Sequence, residues 1–163
     1  GLHLVPPALI EGAKLIVALS GFRHFHSARL NHARRSRCMV EQMSLRLGQE
    51  PQALLTDFYI RCGAVDVDGR QGLPDVGRLS EDLQLLQESV LDPGLWQTGV
   101  PVRIVHGGDD RIIALERGDE LHELVSGSEL TVLPEAGHAL PITHIRECWQ
   151  VIERDWHLKH CER

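Results

Sequence analysis

The stretch VRIVHGGDDRII, Val102–Ile113, decides how the chain is read. An apolar run of strand length, rich in β-branched residues, stops at two glycines and then at two adjacent acids. A run that is apolar on consecutive positions suits a strand covered on both faces, as in a parallel sheet flanked by helices. In open parallel sheets the working side chains gather where strands end at their carboxyl edge. The acids of Asp109–Asp110 therefore stand where chemistry is expected, although an aspartate there also caps a following helix in many folds.

A second segment, SELTVLPEAGHALPITH (Ser128–His144), repeats the pattern. The strand Glu129–Leu133 is followed by Pro134–His138, which delivers a histidine to the edge that receives the acid. An aspartate that accepts a hydrogen bond from one imidazole nitrogen fixes the tautomer and frees the other nitrogen to take a proton from a nucleophile. Working outward, Lys14–Ser20 (KLIVALS) reads as another buried parallel strand. Helices are expected where Met39, Met43 and Leu47 recur, over Gln52–Cys62, from a Ser80 cap through Leu83, Leu86 and Val90, over Leu115–Leu124, and over Ile145–Trp156 with Ile145, Trp149, Ile152 and Trp156 as its apolar face. Val65–Gly77, with three glycines and a proline, reads as a loop. The fold class is α/β: a parallel sheet flanked by helices, with a helical insertion between two strands.

Composition limits the alternatives. The 163 residues are 42% hydrophobic and 25% charged, which suits one globular core. A net charge of -6 argues against a general nucleic-acid binder, which needs a basic surface. Cys38, Cys62, Cys148 and Cys161 form no Cys-x-x-Cys pair and read as free thiols of a cytoplasmic protein. No run approaches the roughly 20 apolar residues needed to span a bilayer, and GLHLVPPALIEG lacks the order of a signal peptide. No cofactor is implied. For a metal, His24, His26 and His32 lie close in sequence, but no acid or cysteine completes the set. His157 and His160 read as tail residues, and Trp96, Trp149 and Trp156 as packing residues.

The two turn segments resemble the acid and histidine turns of the α/β-hydrolase superfamily, in which a strand ends in Gly-x-x-Asp and a later one is followed by Gly-His. Here these are Gly107 and Asp110, then Gly137, His138 and His144. The resemblance favours Asp110 over Asp109 as the acid that orients His138, and it makes His144 structural. KLIVALSGF resembles the strand after the nucleophile helix, and the insertion resembles the cap. The resemblance therefore divides the chain into core (1–21), cap (22–95) and core (96–163), the later part of that fold. The Gly-x-Ser-x-Gly elbow and the oxyanion loop are not found among these residues. Ser20, Ser126 and Ser128 lack the elbow context. The resemblance implies a nucleophile serine outside this chain, a missing N-terminal hydrolase segment, and no catalysis by these residues alone.

Between Phe22 and Leu47 stand six arginines, Arg23, Arg29, Arg34, Arg35, Arg37 and Arg46, against one acid, Glu41. Such a cluster suits an anionic partner or a solvated helix face. Cap size, LSEDLQLLQESVLDPGLWQTGVPVRIVHG and HALPITH are most similar to the pimeloyl-[acyl carrier protein] methyl ester carboxylesterases of biotin synthesis. That resemblance implies an acyl ester substrate and an acyl carrier protein docked by cap arginines such as Arg29, Arg34, Arg35 and Arg37. Phe22 and Phe25, with Phe58, are candidates for lining an acyl pocket. A non-catalytic carrier-binding module on the same scaffold, or lactone, carbon-carbon or epoxide hydrolysis, are the alternatives.

Overall fold

The computed structural model describes residues 2–64, 74–97 and 99–160. Three strands, β1 (Ile16–Leu19), β2 (Val102–Gly107) and β3 (Glu129–Leu133), form one sheet in that order, and both pairings are parallel. Ile16 pairs with Val102, and Gly107 with Leu133, so the carboxyl ends of the strands lie along one edge. Alternation along β2 covers both faces. Val102 and Ile104 pack with Ile10, Leu121 and Val125 on one side. Val105 packs with Ala136, Leu140, Cys148 and Val151 on the other. The buried apolar run of the sequence is thus shared between two cores, as expected of a parallel sheet between helical layers.

Helix α1 (Pro7–Gly12) precedes β1, and α2 (Leu30–Gln49), α3 (Pro51–Arg61) and α4 (Val76–Glu88) fill the crossover from β1 to β2. Helix α5 (Leu115–Leu124) joins β2 to β3, while α6 (Leu140–Thr143) and α7 (Ile145–His160) complete the chain. The inserted helices have their own core. Phe25 and Val40 pack there with Ile113, joined by Phe22, Met39, Leu83, Leu86 and Ile112. Ile112 and Ile113 belong to the turn after Asp110, so the insertion is seated on the segment that carries the acid.

Several local expectations need correction. The first helix of the insertion, whose region runs from residue 22, begins only at Leu30, because His24 bridges Val90 and Phe25 and His26 turn inward. Asp75, not Ser80, caps α4, its carboxylate accepting the Arg78 N–H at 3.0 Å. Ser80 lies inside the helix and donates to the Val76 carbonyl, and Val90 lies beyond the helix end. Val76 and Gly77 are helical rather than loop; residues 65–73 of that expected loop lie outside the described residues. The buried stripe of α7 is Cys148 and Val151, whereas Ile145 and Trp149 are more than half exposed. The neighbours Val105, Ala136 and Leu140 select that stripe, and Trp149 instead donates its indole N–H to Glu153. The side chains of Trp156, His157 and His160, and all of Cys161, lie outside the described residues. Among the described residues no helix is long and apolar enough to cross a membrane.

Candidate active site

The turn after β2 separates its two acids. Asp109 is exposed and pairs with Arg111 at 3.2 Å. Asp110 turns inward, its side chain fully shielded from solvent. Its Oδ1 accepts the backbone N–H groups of Ile112 and Ile113 at 2.9 and 2.8 Å. Its Oδ2 accepts from His138 Nδ1 at 2.8 Å. An ionised carboxylate can only accept, so the hydrogen in that last bond belongs to Nδ1, and neutral His138 keeps its lone pair on Nε2. No hydrogen bond of His138 Nε2 is found among the described residues.

The two turns are stitched by backbone as well. Gly108 N–H donates to the Leu133 carbonyl at 2.8 Å, and Asp109 N–H to the Ala136 carbonyl at 3.0 Å. The close fit needs a glycine, since a Cβ on Gly107 would stand 2.3 Å from the Ala136 oxygen and 2.4 Å from that of Gly137. Beneath the turn, buried His106 donates from Nε2 to the Ile113 carbonyl at 3.0 Å. This same nitrogen is 3.7 Å from Asp110 Oδ2, too long to count as a second bond. His106 thus steadies the peptide run whose N–H groups hold Asp110. It was not singled out from sequence, where it was one more member of an apolar strand.

Burial, the largest influence on Asp110, pushes its carboxyl upward. The bonds from His138, Ile113 and Ile112 together outweigh it and hold the group below the usual carboxylate range. The folded value lies below the unfolded value of about 3.9, so the native state binds fewer protons in that range. The stabilisation is therefore complete above the unfolded value and is lost as pH falls through the folded one. Urea midpoints of the chain and of Asp110→Asn are expected to converge as pH drops below about 4.

Cys62 lies beside this pair. Burial, followed by the negative charge of Asp110, pushes its thiol up to about 11. Its thiolate, the reactive form, is therefore much scarcer at neutral pH than that of an ordinary cysteine. Iodoacetamide is expected to modify exposed Cys38 rapidly in the native chain and Cys62 only on unfolding, which peptide mass mapping can follow.

His138 opens onto a cavity of about 550 Å³, whose wall includes Leu4, Leu19, Ser20, Phe22 and Leu86. Phe22 lies on that wall. Phe25 does not: it is buried in the core of the insertion and borders two other hollows. Phe58 borders only the smaller of these, about 100 Å³. Arg29, Arg34, Arg35 and Arg37 are exposed and do not line the cavity that His138 borders, with Arg35 beside a hollow of about 290 Å³. Arg46 is engaged with Glu50 and Asp57 at 2.7 and 2.9 Å. His26 is buried against Ser36 at 2.8 Å, and His32 is exposed. Among the described residues no three His, Cys, Asp or Glu side chains cluster as metal ligands.

Solved structures superpose on this chain. An esterase from Exiguobacterium antarcticum superposes with a TM-score of 0.70, at 17% identity, over 86% of this chain and 56% of that one. A thermophilic esterase gives 0.66 at 18% identity, over 90% and 57%. The fold is that of the α/β-hydrolases. A bromoperoxidase from Bacillus anthracis superposes with a TM-score of 0.60 at 16% identity, over 85% of this chain and 55% of that one. No family model matches the chain. Over 99 residues it is 34% identical to pimeloyl-[acyl-carrier protein] methyl ester esterases of Neisseria meningitidis serogroups B and A. The match takes in 56% of this α/β-hydrolase-fold chain and 38% and 31% of those proteins. The chain therefore spans well under half the length of these curated relatives.

Proposed function

We propose that this chain carries the acid and the base of a serine carboxylic-ester hydrolase. In the whole protein, residues 22–95 serve as the cap between core segments 1–21 and 96–163, and a segment outside this chain supplies the nucleophile. The observation that carries the reading is the 2.8 Å bond from His138 to shielded Asp110 at the wall of the cavity. His138 Nε2 takes the proton of the attacking serine hydroxyl, then returns it to the departing alcohol. Asp110 holds the tautomer and stabilises the imidazolium formed between those transfers. The cavity lies within the roughly 300–1,000 Å³ of small-molecule sites, and Leu4, Leu19, Phe22 and Leu86 give an acyl chain an apolar wall.

The finer reading is a methyl ester of a carrier-bound acyl chain. It is supported by the similarity to esterases named for that substrate. It is also supported by exposed Arg29, Arg34, Arg35 and Arg37, which suit an acidic carrier protein. The test compares a free acyl methyl ester with the same ester on acyl carrier protein, using the whole protein. Triple reversal of Arg34, Arg35 and Arg37 to glutamate is expected to raise KM for the carrier-bound ester at least about tenfold, in a salt-dependent way, and to leave the free ester unchanged. Equal effects on both esters would remove the carrier-docking role. Salt-sensitive carrier binding with no hydrolysis of either ester would favour the non-catalytic binding module instead.

A further inference from the structure

The peptide that joins His138 to Ala139 is gripped from two distant parts of the chain. Its carbonyl accepts Ser20 Oγ at 3.1 Å, and also the Leu140 N–H at 2.9 Å. Its N–H donates to the Cys62 carbonyl at 3.0 Å. Ser20 follows β1 in the sheet layer, whereas Cys62 follows α3 in the inserted helices. Ser20 is buried and has φ 49, a left-handed conformation that non-glycine residues seldom adopt. Its N–H donates to the Val105 carbonyl at 2.8 Å, so the sheet holds this backbone in place. Such a conformation persists only where its surroundings over-determine it. On the other side, Gly137 admits the Cys62 turn: a Cβ there would stand 2.8 Å from the Cys62 oxygen.

We propose that the Ser20 hydroxyl and the Cys62 carbonyl clamp this peptide and thereby set the His138 imidazole against Asp110. Ser20 is then a positioning residue for His138, an inference that rests on His138 being the working base. The imidazole is one-quarter exposed, and Asp110 is its one hydrogen-bond partner among the described residues. Its aim therefore depends on where the backbone points the Cα–Cβ bond. One jaw belongs to the sheet and the other to the inserted helices, so displacing those helices pulls on the peptide that carries His138.

The test follows the His138 Nδ1–H resonance in the whole protein by nitrogen-edited NMR. Ser20→Ala removes the hydroxyl. Ser20→Gly also removes it while suiting φ 49, which guards against a variant that misfolds. Both are expected to speed exchange of this proton with water about tenfold, the size of effect that losing one hydrogen bond gives. Gly137→Ala, which displaces the Cys62 turn, is expected to act likewise. Combining it with Ser20→Ala should give less than the product of the two effects, because both act on one peptide. Variants that lower the melting temperature yet leave the His138 signal unmoved would overturn the clamp. A signal that ignores Asp110→Asn would overturn the acid-base pair and the clamp with it, whereas one that responds to Asp110→Asn but not to either Ser20 variant overturns the clamp alone.

Discussion

Replacing Asp110 by asparagine is expected to lower ester turnover by the whole protein about ten-thousandfold, with a much smaller change in KM. The reason lies in how the carboxylate is held. Two backbone N–H groups, of Ile112 and Ile113, point at Oδ1 and require an acceptor there. An asparagine therefore keeps its oxygen on that side and turns its NH2 toward His138. That amide donates to Nδ1, which moves the imidazole hydrogen to Nε2 and leaves no lone pair facing the cavity. The variant retains the shape of the site and loses its base. His138→Ala removes the base outright and is expected to fall at least as far. Steady-state kinetics on a short acyl ester measure both, and wild-type turnover by His138→Ala would refute the assignment.

The largest effect on stability is expected at Gly107. A methyl group there meets two backbone carbonyl oxygens, those of Ala136 and Gly137, at 2.3 and 2.4 Å. Neither belongs to a flexible side chain. The Gly107 backbone is paired with Leu133 in the sheet, so relief requires the acid and histidine turns to part. Gly107→Ala is expected to cost more than about 4 kcal/mol, a large share of the roughly 5–15 kcal/mol that holds a domain folded. Gly48 provides the contrast. It lies in α2 with nothing within 4 Å of an added Cβ, so Gly48→Ala is expected to stabilise by about 0.5–1 kcal/mol. Urea unfolding of the two variants measures the difference, and similar midpoints would contradict the close packing of the turns.

The parts of the fold legible in the sequence are those whose signal is local. Val102–Gly107 and Glu129–Leu133 are short runs bounded by turn residues, and the parallel sheet with helical layers follows from their alternation with helices. Between Asp109 and Asp110 the residues alone do not choose; only the resemblance to a Gly-x-x-Asp turn favours Asp110, and in the structure Asp110 turns inward while Asp109 is exposed. What remained illegible depends on partners far along the chain. Nothing near Ser20 in sequence indicates that its hydroxyl reaches the His138 carbonyl, 118 positions away. The late start of α2 reflects a bridge from His24 to Val90, a tertiary contact that overrides local pattern. Helix α7 presents two candidate apolar faces, and only the position of Val105, Ala136 and Leu140 selects Cys148 and Val151 over Trp149. His106 looked like an ordinary strand residue because its role lies in the carbonyl of Ile113, across the turn.

The central claim is that His138, held by Asp110, activates a serine that lies outside these 163 residues. A fluorophosphonate ester tests it most directly, because it traps a serine only when a base activates the hydroxyl. The whole protein treated with it is expected to carry one adduct, mapped by peptide mass spectrometry to a segment outside this chain, and His138→Ala is expected to carry none. An adduct on Ser20, or labelling of His138→Ala at the unmodified rate, would contradict the account.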